Sequence, residues 1–202
     1  VAAQGEGARM RARRALRREI MQVALELFVA KGFDAVTVDE IAGAADMSKR
    51  TFFRYFASKE DLVVDNLVEV GHELAHRLAA QPSDLAAWPA LRAAFDLIVE
   101  HNDGAPERTL ILLTMLHETS ALRARHLEKQ SRWQELLAPD LLERMTSDVP
   151  EALRAPAAKA LAGAALACLD TAQEVWCEAG GRISLGPILD GLMDAVHSCH
   201  TA

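Results

Sequence analysis

Residues 72–76 read His-Glu-Leu-Ala-His. Two histidines one helical turn apart, with a glutamate beside the first, form the zinc-hydrolase pattern, in which imidazoles hold the metal and the carboxylate is general base. A second group, His197-Ser198-Cys199-His200, could hold a metal, but with no paired ligand motif elsewhere it reads as a last helix turn and tail. A third set is basic: Arg9, Arg11, Arg13, Arg14, Arg17 and Arg18 fall within one ten-residue window. Cations at that density serve a polyanion. Metal-assisted hydrolysis and polyanion binding need different scaffolds, so the elements that carry these residues decide between them.

The formal net charge of −7 is unevenly spread. Residues 1–59 carry 11 Lys and Arg against 7 Asp and Glu, whereas residues 60–202 carry 11 against 22. A basic end joined to an acidic body fits a polyanion-binding module attached to something else. The three cysteines, Cys168, Cys177 and Cys199, have no framework spacing and suit buried thiols in a reducing compartment. The basic N-terminus is not followed by an apolar h-region, so no secretory signal is expected. No uncharged apolar run is read as a membrane span.

The chain reads as all-α, with about nine helices and no alternating strand pattern. The first helix is expected from about Arg9 to Lys31, with Leu16, Ile20, Val23, Ala24, Leu27 and Phe28 on one face and Gly32 as its C′ residue. Thr37 reads as an N-cap, Glu40 completes a capping box, and Val36 with Ile41 has the spacing of a hydrophobic staple. A short helix follows, then the turn Ala44–Met47, then Ser48 as a second N-cap and another short helix to Phe56. Ser58 caps a longer helix from Lys59 to about Ala80. Further helices are expected at Asp84–His101, Pro106–His117, Ser120–Met145, Pro150–Ala179 and Leu185–His200. Asn102-Asp103-Gly104, Pro139, residues 147–150 and Gly180-Gly181 are the breaks.

Two short capped helices after a long basic one make a helix-turn-helix layout. The stretch TVDEIAGAADMSKRTFFRYFASKEDLV, residues 37–63, closely resembles the DNA-binding signature of the TetR family of transcriptional repressors, and ALELFVAKGFDAV before it resembles that family's first helix and turn. The resemblance covers residues 10–63. Two positions depart from the pattern. Asp46 stands where the family's turn has glycine, and Asp tolerates a left-handed backbone better than most residues. Phe53 replaces the usual tyrosine, which removes a hydroxyl and keeps apolar contact to a thymine methyl.

The resemblance implies a DNA-binding domain at 1–60 and a ligand-binding and dimerisation domain at 61–202. Phe52 and Phe56, four apart, anchor one face of the recognition helix. Lys49, Arg50 and Arg54, with Thr51 beside them, are expected to face base edges. By carry-over, Thr37, Tyr55 and Lys59 are expected on phosphates, which with Ser48 and Phe53 completes the DNA-facing set. The arginine-rich start is a candidate minor-groove arm. The implied partners are double-stranded operator DNA, a second copy of the chain and a small-molecule effector, in the cytoplasm, with no membrane and no cofactor.

On the helix from Lys59, the apolar stripe is Val63, Leu67, Val70, Leu74 and Leu78, which leaves His72 and His76 with Asp65, Glu69 and Glu73 on the polar face. A zinc hydrolase also needs a third ligand and a strand-lined cleft, and neither is legible. The zinc reading and a TetR-like protein with no effector are therefore the alternatives. For an effector pocket the apolar candidates are Trp88, Phe95, Ile98, Met115, Leu116, Trp133 and Trp176, with His117, Glu118 and Arg123 as polar groups among them. The segment Leu122–Trp133 is similar to TetR-like regulators that respond to acyl thioesters. AKALAGAALACL, residues 158–169, is rich in small residues that permit close helix approach, and the last two long helices are candidates for a dimeric four-helix bundle.

Overall fold

The computed structural model describes residues 2–145 and 149–198, and their side chains except those of residues 2–11, 14 and 64–66. The side chains of Arg9, Arg11, Arg14 and Asp65, and all of Cys199 and His200, lie outside the described residues. Every element among the described residues is an α-helix: α1 Ala2–Lys31, α2 Val38–Ala44, α3 Lys49–Tyr55, α4 Lys59–Ala79, α5 Ala87–Ala94, α6 Asp96–Gly104, α7 Pro106–Glu118, α8 Ser120–Arg144, α9 Glu151–Glu178 and α10 Leu185–Ser198. The helix expected at Asp84–His101 divides at Phe95, whose carbonyl accepts from both Ile98 and Val99. Phe95 is fully buried there.

Two compact units divide between Asn66 and Leu67. The division falls inside α4 rather than at residue 60, because the first turns of α4, with Leu62 and Val63 buried, belong to the first unit. In that unit the local signals act as read. Gly32 has φ +83° and its N–H donates to the Phe28 carbonyl at 2.8 Å, closing α1. Thr37 and Glu40 form the reciprocal capping box of α2. Ser48 accepts from the Thr51 N–H to start α3. Asp46 takes φ +51°, the left-handed turn expected of it. Ile20, Ala24, Leu25 and Phe28 are the buried residues among the described side chains of α1, while Leu16, Val23 and Leu27 are half-buried.

In the second unit α9 packs on α8 and α10, and α7 on both α8 and α9. The small-residue run of α9 serves this packing within one chain: Ala158, Ala162, Ala165, Leu166, Cys168 and Leu169 are buried. α8 continues through Pro139 instead of breaking. Proline removes one helical hydrogen bond at a cost of about 3 kcal/mol, and the fully buried Leu137 and Leu141 on either side offset that loss. One expectation is corrected: α9 is long and apolar enough, by length and composition, to cross a membrane. Its alanines pass that test; Ala158, Ala162, Ala165 and Ala172 are buried, whereas Ala152, Ala155, Ala160 and Ala167 are exposed.

Candidate nucleic-acid interface and effector site

The first unit builds its reader from Phe52. That side chain is fully buried, and Phe56 packs on it with ring centroids 5.4 Å apart. Anchoring this face turns Lys49, Arg50, Phe53 and Arg54 outward, and all four are exposed. Phe53 is a large apolar side chain 48 % exposed on a basic surface. Tyr55 is half-buried between two guanidinium groups, Arg13 at 5.8 Å and Arg54 at 5.3 Å from its ring. Thr51 spends its hydroxyl on Ser48 Oγ, at 2.9 Å. Lys49 donates to Asp39 Oδ2 of α2 at 2.8 Å. That exposed ion pair is worth about 0–1 kcal/mol and opens readily for a phosphate or a base.

Two of the expected phosphate contacts already have other partners. Lys59 Nζ donates to the carbonyls of Phe33 at 2.8 Å and Val36 at 3.1 Å, with Asp34 at 3.4 Å, and lies 4.4 Å from the Phe33 ring centre. An ammonium has three N–H donors, so Lys59 is a clamp on the α1–α2 loop rather than a cation free for DNA. Thr37 Oγ1 accepts from the Glu40 N–H and lies 3.1 Å from Glu40 Oε2. Hydrogen bonds from Lys31 and from Thr37 hold the Glu40 carboxyl down to about 2. What Thr37 leaves for a phosphate is the N-terminal backbone of α2.

The profile of the bacterial regulatory proteins of the tetR family matches residues 20–65, and that of the MftR C-terminal domain matches residues 85–200. The chain belongs to the TetR family. It is a transcriptional regulator. It is 29 % identical over 158 residues to the HTH-type transcriptional regulator TcmR of Streptomyces glaucescens, covering 74 % of this chain and 69 % of that one. It is 29 % identical over 177 residues to MftR of Mycobacterium tuberculosis, named for mycofactocin biosynthesis, covering 88 % and 87 %. Among solved structures, Thermus thermophilus FadR in complex with lauroyl-CoA has TM-score 0.60 at 22 % identity, covering 88 % of this chain and 91 % of that one.

In the C-terminal unit of this TetR-family chain, the pocket candidates differ in burial and in partners. Trp88 is half-buried, donates to the Met193 carbonyl at 3.3 Å and stacks on His197. Trp176 is fully buried, beside the Gly180-Gly181 turn and with its indole N–H donating to no acceptor among the described residues. Trp133 donates to the Leu67 carbonyl of α4 at 2.8 Å. Phe95, Ile98, Met115 and Leu116 are buried, whereas Glu118 and Arg123 are exposed and are not buried lining. His117 is half-buried and stands perpendicular to His126, ring centroids 6.4 Å apart. Burial holds its pKa down.

Sequence reasoning missed three members of this neighbourhood. His126 Nε2 lies 3.1 Å from Asp170 Oδ1, and Lys129 Nζ lies 3.2 Å from His126 Nδ1 and 4.2 Å from the Trp133 ring centre. The available signal was position: His126 and Lys129 occupy the buried stripe of α8 between Leu122 and Trp133.

His72, Glu73 and His76 are exposed on α4, and Glu73 pairs with Arg77 at 3.9 Å. Among the described residues no group of three or more His, Cys, Asp and Glu could hold a metal. Packing roles here belong to the fully buried Leu74 and to Gly71 just before the segment. A Cβ built there would fall inside the Trp133 indole, against Nε1 and Cδ1. Nearby, Arg144 of α8 donates to the carbonyls of Leu78, Gln81, Pro82 and Leu85, covering the C-terminus of α4. Cys168 and Cys177 are free thiols, the second pushed up to about 11 by burial and by Glu174.

Proposed function

We propose that this regulator is a cytoplasmic homodimeric repressor that binds a pseudo-palindromic operator and leaves it when a small molecule occupies the C-terminal unit. It is not an enzyme and needs no cofactor. The observation that carries the reading is the α3 surface, where Lys49, Arg50, Phe53 and Arg54 stand exposed around a buried Phe52. Arg50 and Arg54 reach guanine edges, Lys49 exchanges Asp39 for DNA, and Phe53 meets a thymine methyl. Ser48, Thr51, Tyr55 and the α2 N-terminus near Thr37 hold the helix against the backbone. Exposed apolar groups on the last two helices, Leu153 and Val175 of α9 and Val196 of α10, support dimerisation there.

Effector binding is read through α4. Trp133 grips α4 at Leu67 and Gly71, and Arg144 covers its C-terminus. A ligand that shifts α8 therefore acts on a helix whose first residue, Lys59, clamps the α1–α2 loop. Linkage makes this reciprocal, so operator DNA must weaken effector binding by the factor that effector weakens DNA binding.

Selection of bound sites from random DNA tests the reading. Two half-sites about 34 Å apart, or a multiple of one turn, are expected, and Arg50→Ala should cost about 1–3 kcal/mol and relax one base position. Equal affinity for selected and random DNA at physiological salt would sink it. The complete burial of Phe95 and Trp176 favours a second reading, DNA binding with no effector, under which no metabolite weakens the selected complex.

A further inference from the structure

The buried stripe of α8 is Leu122, His126, Lys129, Trp133, Leu137 and Leu141. Helical periodicity calls for apolar side chains along such a face, and lysine is among the residues least often buried. Lys129 is nonetheless only 5 % exposed. Leucine or methionine would fill that position without a charge to desolvate.

The contacts of Lys129 define what it lacks. One proton arrangement satisfies the whole cluster: a neutral His126 carries its hydrogen on Nε2 and donates to Asp170 Oδ1 at 3.1 Å, while Nδ1 accepts from Lys129 at 3.2 Å. The imidazole then stands between the ammonium and its nearest anion. Among the described residues Lys129 has no other hydrogen-bond acceptor, and Trp133 offers it a ring face at 4.2 Å. A buried cation is stable when an anion contacts it and costly when none does. Without that contact, burial drags Lys129 down to about 8. The other charged or titratable groups around the cluster are half-buried His117 of α7, exposed Arg123 of α8 and exposed Glu174 of α9.

We propose that Lys129 receives the carboxylate of an amphipathic organic acid whose apolar body lies along Trp133, and that an acid of this class is the effector. The assignment rests on the effector reading above. A carboxylate supplies the contacting anion and accepts the two N–H groups that His126 leaves over. A neutral ligand leaves the ammonium unmatched, and a cation is repelled by it. Asp170 acts on Lys129 through charge alone, raising its pKa against the effect of burial, and makes no hydrogen bond to it; its Oδ1 is bonded to His126. Occupation also has a direct readout. Drawing Lys129 toward a carboxylate takes it off the Trp133 face, and the same indole holds Leu67 and fits against Gly71 on α4.

The test uses the full chain and matched probes that differ in charge alone: octanoate against 1-octanol, and 1-naphthoate against 1-naphthalenemethanol. Binding is followed at pH 7 by tryptophan fluorescence and calorimetry. At least one acid should bind about tenfold or more tightly than its alcohol. That preference should fall below about twofold in Lys129→Met, and also in Lys129→Gln, which keeps a donor without the charge. Acids and alcohols binding alike, no acid binding up to millimolar concentration, or a preference that survives both substitutions would each overturn the site. A purely structural Asp170–His126–Lys129 brace predicts this last pattern together with a lower unfolding midpoint. Operator binding is measured in parallel on the wild type. A chain that prefers acids through Lys129 yet binds no selected DNA would overturn the repressor reading and leave the site standing.

Discussion

The two units use polar groups in opposite ways. In the first, Thr37 with Glu40, Ser48 with Thr51 and Lys31 with Glu40 close on one another within short stretches of chain, and Lys59 reaches back to three loop carbonyls. In the second, Asn102 Nδ2, Arg154 Nε and Trp176 Nε1 are buried and donate to no acceptor among the described residues, and Lys129 is buried against the His126 imidazole. A reader of DNA gains from one fixed geometry, because base contacts fail over small displacements. A ligand domain gains from donors that a ligand can complete.

The largest expected effect tests the seam of α4 and α8. Gly71→Ala drives a methyl into the Trp133 indole, and overpacking together with the lost Leu67 hydrogen bond should cost about 2–4 kcal/mol. Gly43→Ala in α2 meets no atom within 4 Å and should gain up to about 1 kcal/mol. Urea unfolding midpoints of the pair decide this, and equal shifts would remove the seam from the account.

Next comes Lys59→Met, which frees three carbonyls of the first unit and should cost about 1.5–3 kcal/mol. If Lys59 served phosphate alone, stability would not change and the salt slope of DNA binding would fall by about one per half-site. Both quantities are measured on the same protein.

Lys129→Met is expected to move stability the other way, gaining about 1–3 kcal/mol at pH 7. The folded value of Lys129 lies at about 8, below the ordinary 10.5. Between those values the unfolded chain binds the extra proton, so folding stability rises with pH across that window. The wild-type rise over pH 8–10.5 should therefore exceed that of the variant in paired thermal melts.

Smaller effects belong to the caps. Thr37→Ala should cost about 1 kcal/mol. Glu40 titrates at about 2 in the folded chain against 4.5 ordinarily. Its contribution is whole above 4.5 and disappears as pH falls toward 2, so acid titrations of wild type and Glu40→Gln should converge at the low end. Least of all, His72→Ala with His76→Ala should stay within about 0.5 kcal/mol of wild type. A stoichiometric zinc ion in purified protein, lost with that pair, would restore the hydrolase reading.

The sequence alone determined the first unit almost residue by residue. Gly32, the Thr37–Glu40 box, Asp46 and Ser48 act over spans of three or four residues, and so do the buried pair Phe52 and Phe56. Physics confined to one turn of chain is written in consecutive letters. It could not show that Lys59 turns back to carbonyls at positions 33–36, because that choice depends on where a loop passes. In the second unit the helices were legible and their partners were not. His-Glu-Leu-Ala-His drew attention to side chains that face solvent, while Gly71 beside them admits Trp133, 62 positions along the chain. His126 and Lys129 read as ordinary polar letters until α8 packed on α9 and brought Asp170 to the imidazole. Tertiary structure decided that cluster, because burial and charge pairing depend on what the fold brings together across long separations.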